Sequence, residues 1–473
     1  MSTTTVEMET MPQQAAPPAP TPVSTAGDLD STPLFARIAT SRKIAILFTT
    51  SFIALAATFS STSLFPATEE IAEQFGTTKE IINYSNAGIF IAMALSNFVW
   101  GPISVLFGRK LAYNTAIGVY FLFSLGAAVS HNLSSWVALR ILAAFQASFF
   151  AAAGQSLCAD IFHPANRGLA IGILMSGTIT GPALGPCAGG IIVTYANWRA
   201  IFYLQAAMAG FGLVCALLSI PETTEPAAEV GNEKTIKRIL SQFNPMRAIQ
   251  LLVYPNVLLT DFACGLLSLT MYSLLTPPRY LINPRFHLTT PLVSGLFYLA
   301  PGGGFLIGVI AGGRWADITV KKWMLKRDGQ RLAQDRLNSG ILAFFFLVPV
   351  ATAIYGWSLE FTVGGLAVPA VAMFFCGVGL MVAFTCLNTY TSEVMPASRT
   401  EILTGKYFIQ YCCGAAGSAA VLPLINGIGI GLVSTISAFL VVIGGVMVLT
   451  TAKYGQRMQR FVDKLRKTAA ERR

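Results

Sequence analysis

Three charged side chains lie inside long apolar stretches, where a charge is costly unless it is paired or used. Arg140 sits in WVALRILAAFQ, a stretch that ends at Gln146 and is otherwise apolar. Asp261 follows Pro255 and Asn256 in a second apolar run, and Lys406 precedes Tyr407 and Gln410 in a third. A guanidinium in such a place can attract an anion or hold a nearby carboxylate in its ionised form. A carboxylate there can carry a proton. Two readings stay open for each residue. Arg140 either faces an internal cavity or snorkels to an interface marked by Trp136. Asp261 and Lys406 either act within the apolar layer or sit near its edge. The same stretches hold hydrogen-bonding side chains, and Gln146, Gln155, Asn388, Tyr407 and Gln410 join Arg140 and Asp261 as candidates for a substrate or proton pathway.

Other chemistries find no support in the residues. The three histidines, His131, His163 and His287, fall in separate loops and form neither HExxH nor a triad. The eight cysteines show no CxxC and no metal-ligand spacing, so they read as small core residues. Gly-rich phosphate loops of the GxGxxG or Walker type are absent. An enzyme, a bound metal, a cofactor and ATP-driven transport are therefore not expected.

The elements that must position these residues are membrane spans. Of 473 residues, 54% are hydrophobic and only 11% charged, with a mean hydropathy of +0.61. A soluble domain carries roughly 25% charged residues, so lipid must solvate much of this chain. Apolar runs long enough for a bilayer helix occur at about 45–65, 86–107, 111–130, 136–160, 168–195, 199–220, 256–277, 291–312, 338–357, 363–388, 402–425 and 430–452. Open sheets leave unsatisfied edges in lipid, and these runs are too long for barrel strands. The expected fold is an all-α membrane protein of twelve transmembrane helices in two six-helix halves.

The net charge of +10 does not point to nucleic acid, because the basic residues cluster in short loops and the tail. Arg37, Arg42, Lys43, Arg109, Lys110, Arg167, the run Arg314 to Arg336 and the tail from Lys453 fall on one side, which predicts both termini in the cytoplasm. Lys79, Arg199, Arg279 and Arg285 fall outside. The expected organisation is a disordered tail 1–40, a six-helix bundle 41–220, a cytoplasmic linker 221–255, a second bundle 256–452 and a basic tail 453–473. A repeat supports the division: Gly101-Pro-Ile-Ser-Val105 running to Gly108-Arg109-Lys110 aligns without gaps with Gly313-Arg-Trp-Ala-Asp317 running to Lys322. Asn83 and Asn132 head Asn-x-Ser glycosylation sequons on the outer side.

The fifth run carries Gly177, Gly181-Pro182, Gly185-Pro186 and Gly189-Gly190. Glycines four apart make one smooth helical face for close contact, and the prolines bend the helix. This segment resembles the antiporter motif of proton-coupled drug exporters in the major facilitator superfamily. The loop at Gly101, Gly108, Arg109 and Lys110 resembles the superfamily's signature after its second helix, and Arg140 with Gln146 resembles a feature of its fourth. The likeness covers nearly the whole chain from about residue 45. It departs at Val105, where the signature has Asp; the second-half copy keeps Asp317. The first-half latch is thus expected to lack its carboxylate. The resemblance implies a monomeric transporter in the plasma membrane, or alternatively the vacuolar membrane, using protons as coupling ion. The resemblance is to fungal twelve-span drug:proton antiporters and metabolite exporters, a group that includes exporters of organic acids such as itaconate. A multidrug or toxin exporter and a proton-coupled importer are the alternatives.

Overall fold

The computed structural model describes residues 38–162, 167–222, 246–395 and 398–471. The expected tail up to residue 37, most of the linker, and His163 lie outside these. Eleven helices among the described residues are long and apolar enough to cross a membrane. We number the membrane helices α1 (Thr40–Thr62), α2 (Lys79–Leu106), α3 (Arg109–Val129), α4 (Leu133–Ala144, continuing as Ala147–Ile161), α5 (Arg167–Tyr195), α6 (Arg199–Ser219), α7 (Pro255–Leu275), α8 (Leu299–Leu325), α9 (Val348–Glu360) and α10 (Ala367–Val394). The last helix, Arg399–Glu471, is broken at Gly429, whose φ of 81° and ψ of 160° are not helical. It therefore makes two crossings, α11 (399–428) and α12 (430–471), and the twelve expected spans are all present.

Local chemistry sets the ends. Asn132 caps α4 by accepting from the Ser135 amide at 2.7 Å, which satisfies one free donor of the first turn. The Glu360 carboxylate accepts from Ile430 N at 2.9 Å and Gly431 N at 3.3 Å, capping α12 across the turn. Helix α2 begins at Lys79, earlier than the apolar run suggests, because the polar first turns pack against Thr68–Gln74. The segment from Lys453 continues as helix to Glu471.

Successive crossings place both ends of the described chain on one face, called here the terminal face. The apolar exterior is what lipid requires: Leu218 is 79% exposed and Phe439 66%. Helices α1 to α6 form one half and α7 to α12 the other. Large buried aromatics such as Tyr113, Phe150, Phe344 and Tyr390 fill the interior.

The glycine face of α5 lies on α1. A methyl group added at Gly181 would meet Phe59 N at 2.7 Å and strike Thr58; one added at Gly185 would meet Phe59 O at 2.8 Å; Gly177 and Gly189 press on the Ser51 and Ser63 carbonyls. Side chains there would force the helices apart. Gly190 faces the other way, and a methyl on it would meet Gly295 Cα of the second half at 2.7 Å.

Candidate functional site

The polar interior divides into an arginine site in the first half and a lysine–carboxylate site in the second. Arg140 lies seven residues into α4, roughly 10 Å of helical rise from the face opposite the termini. It is only 3% exposed, so it does not reach an interface. Its guanidinium donates to Ser85 Oγ at 2.9 Å and Asn86 Oδ1 at 2.6 Å, both on α2. It also stands over the Trp136 ring at 5.1 Å, and Trp136 is itself fully buried. Every one of these partners is neutral, and Arg140 Nε has no hydrogen-bond partner among the described residues. No ion pair with a carboxylate forms there among the described residues. Gln146 sits at the break in α4, donates to Leu142 O at 2.6 Å and accepts from Trp100 Nε1 at 3.4 Å.

The remaining candidates gather nearer the terminal face. Asp261 is fully buried in α7, with neither oxygen hydrogen-bonded among the described residues. Lys406 of α11 is 2% exposed and donates to Asn388 Oδ1 of α10. Snorkelling does not describe it. Its Nζ stands 4.3 Å from the Tyr407 ring centre, and Tyr407 OH accepts from Gln155 Nε2 at 3.3 Å. That bond joins α4 of the first half to α11 of the second. Gln410 accepts from Cys264 Sγ at 3.4 Å, one turn beyond Asp261. Asp261, Asn388, Tyr407, Gln410 and Gln155 thus share one region around Lys406, while Arg140 and Gln146 stand apart from it.

The latch at the terminal face differs from the sequence expectation. Arg109 pairs with Asp160 at the end of α4. Glu222, just past α6, accepts from Arg109 N at 2.9 Å and Lys110 N at 3.2 Å. The carboxylate missing at Val105 is therefore supplied from two distant segments. Gly108 makes this possible: its φ of +87° suits glycine, and a methyl there would meet Glu222 Oε2 at 2.6 Å. In the second half, Arg336 pairs with Asp317 at 3.2 Å and with Glu393 at 2.9 Å, and Arg331 also holds Glu393. Asp160 and Glu393 end the fourth helix of their respective halves.

The opposite face carries a contact that sequence reasoning missed. Arg279, following α7, donates to Glu70 through both terminal nitrogens, at 2.5 and 2.7 Å, to Glu69 at 3.1 Å, and to the Pro66 carbonyl. Glu69 also pairs with Lys79. Nearby, Asn83 donates to Ser418 O at 2.7 Å and is 2% exposed. Its amide is committed to the contact between halves, which removes it as a glycosylation acceptor in this state; Asn132 is exposed. Together these contacts close the opposite face between the halves.

Residues 50–419 match the sequence model of the Major Facilitator Superfamily. A transporter of uncharacterized function from Schizosaccharomyces pombe is 23% identical over 453 residues, covering 90% of each chain. The efflux pump radE of Floropilus chiversii is 24% identical over 439 residues, covering 86% of this chain and 79% of its own. Among solved structures, a partially occluded, inward-open conformation of the xylose transporter XylE from E. coli superposes with a TM-score of 0.63 at 15% identity, covering 88% of this chain and 98% of that one. The chain belongs to the Major Facilitator Superfamily. It is a multi-pass membrane transporter of that fold, not an enzyme.

Proposed function

We propose that this transporter exports a small organic anion from the cytoplasm, coupled to protons. The observation that carries the reading is Arg140. A buried guanidinium held only by neutral oxygens leaves its charge uncompensated, and in lipid such a charge calls for a counter-ion. A substrate carboxylate supplies one. An itaconate-like organic acid is the favoured class. Outward direction is supported by the efflux pumps among the relatives and by the glycine-proline pattern of α5. Proton coupling is supported by the buried carboxylate Asp261 and by the lack of a nucleotide-binding motif in the sequence.

The excess of Lys and Arg on the terminal face supports a cytoplasmic location for both termini; the membrane would be the plasma membrane. Substrate would bind between the halves and reach either side as they rock. In this account the contacts of Arg279 close the outside, and the latches of Arg109 and Arg336 lie at the cytoplasmic surface. The protein would act as a monomer. The test uses labelled itaconate with inverted and right-side-out vesicles. Export predicts uptake into inverted vesicles that depends on a proton gradient; uptake only by right-side-out vesicles would make the protein an importer.

A further inference from the structure

The second half holds a charged pair that the anion reading does not use. Asp261 lies six residues into α7 and Lys406 seven into α11, each roughly 10 Å of rise from the terminal face. The two helices run parallel and in register. A methyl on Gly265, one turn past Asp261, would meet Cys413 Sγ at 2.8 Å and Ile409 Cγ2 at 3.1 Å, and Gly414 and Gly417 of α11 lie on Ser268, Leu269, Tyr272 and Ser273 of α7. One turn back along both helices, that register brings Asp261 to the level of Lys406.

The charged side chain that the helix register sets beside Asp261 is Lys406. From α7 itself comes the Cys264 thiol; from α11 come Lys406 and, beside Cys264, the Cys413 thiol; from α10 come the Tyr390 phenol and, also beside Cys264, the Cys386 thiol. Helix α12 offers Gly444, against Ala263. Tyr390 OH accepts from Asn256 Nδ2 at 3.0 Å, and neither Asp261 oxygen has a hydrogen-bond partner among the described residues. Lys406 is the cation placed to support an ionised Asp261. A neutral Asp261 would leave Lys406 with Asn388 and the Tyr407 ring, as the structure shows. Both charge states thus have a structural basis, and they differ in how Lys406 is held. Tyr407 also bonds Gln155 of the first half, so Lys406 lies one contact from the junction between the halves.

We propose that Asp261 is the group that takes and releases the coupled proton, with Lys406 as the counter-ion of its ionised form. The inference rests on the proton-coupled reading above and separates the proton site, in the second half, from the anion site at Arg140 in the first. As the O–H bond of the Asp261 carboxyl forms, an O–H bond of hydronium breaks and leaves water; release of the proton reverses the two.

Infrared difference spectroscopy on the purified full-length protein in lipid nanodiscs, stepped through pH without substrate, reads the proton directly. The parent should show a carboxylic-acid carbonyl band that titrates, Asp261→Asn should lack it, and Lys406→Gln should keep it to higher pH because the cation no longer favours ionisation. An unchanged band in Asp261→Asn, or an unshifted titration in Lys406→Gln, would overturn the proposal. Where Asp261→Asn does not fold, Asp261→Glu must move the band, and an unmoved band overturns it equally. With itaconate as probe in liposomes, the response of Asp261→Asn to an imposed pH gradient should fall about tenfold relative to the parent. A full gradient response in that variant contradicts the proposal. If the parent moves no itaconate, the anion reading fails, and the infrared result still decides the role of Asp261.

Discussion

Arg279 and Glu70 meet fork to fork across the two halves, guanidinium nitrogens on both carboxylate oxygens at 2.5 and 2.7 Å, though 209 positions separate them in the chain. Arg279 is 8% exposed, and Glu69 and the Pro66 carbonyl complete its shell. Bidentate geometry is the strong form of such a pair. It holds the face opposite the termini closed, and it must separate whenever that face opens.

Arg279→Ala should therefore favour the state open on that face. Loss of charge-assisted hydrogen bonds of this kind costs about 2 kcal/mol, which is roughly thirtyfold in the ratio of the two states. Cysteines placed near Asn83 should label faster with a membrane-impermeant reagent in Arg279→Ala than in the parent. Equal labelling rates would mean that the helix contacts hold the closure without the ion pair.

Gly181→Leu should disable transport while leaving delivery to the membrane intact. The added side chain has no space between α5 and the α1 backbone at Thr58 and Phe59, and overpacking typically costs about 1–3 kcal/mol. Gly172, on the same helix, has nothing within 4 Å of an added methyl. Gly172→Ala should transport like the parent. Normal export by a correctly delivered Gly181→Leu would show that close contact of α5 with α1 is dispensable.

The latch at Arg109 should contribute little to stability and more to the balance between states. Its side chain and that of Asp160 are about 30% exposed, and pairs so placed are worth about 1 kcal/mol or less. Arg109→Ala should lower the melting temperature by only a few degrees, measured in detergent, yet reduce the transport rate severalfold. A fall in rate no larger than the loss of folded protein would make the contact merely structural.

What could be read without the structure follows from the range over which each signal acts. The spans are local, since a run of apolar residues long enough for a bilayer is a helix wherever it occurs. The close-packing face at Gly177, Gly181, Gly185 and Gly189 was legible because its period of four is carried by adjacent turns. Arg279 was not. On sequence it was one basic residue in an outer loop, and its carboxylates come from the short helix Thr68–Gln74 that follows α1. Glu222 and Asp160 were missed as partners of Arg109 for the same reason: an absent Asp at position 105 is visible, whereas its replacement from two distant segments is a property of packing. Lys406 invited the snorkelling reading because it stands near a helix start; Asn388 and Tyr407 hold it inside. Asn83 read as an outer sequon because the polar first turns of α2 look like loop.

The central claim is that proton-driven export depends on the charge of Arg140. Purified protein in liposomes, given labelled itaconate and an imposed pH gradient, tests it directly. The account predicts uphill movement that stops when a protonophore collapses the gradient, is abolished in Arg140→Ala, and is kept in part by Arg140→Lys, which retains the charge but loses the planar fork. Parental rates in Arg140→Ala at normal protein levels, or undiminished uphill transport without the gradient, would contradict it.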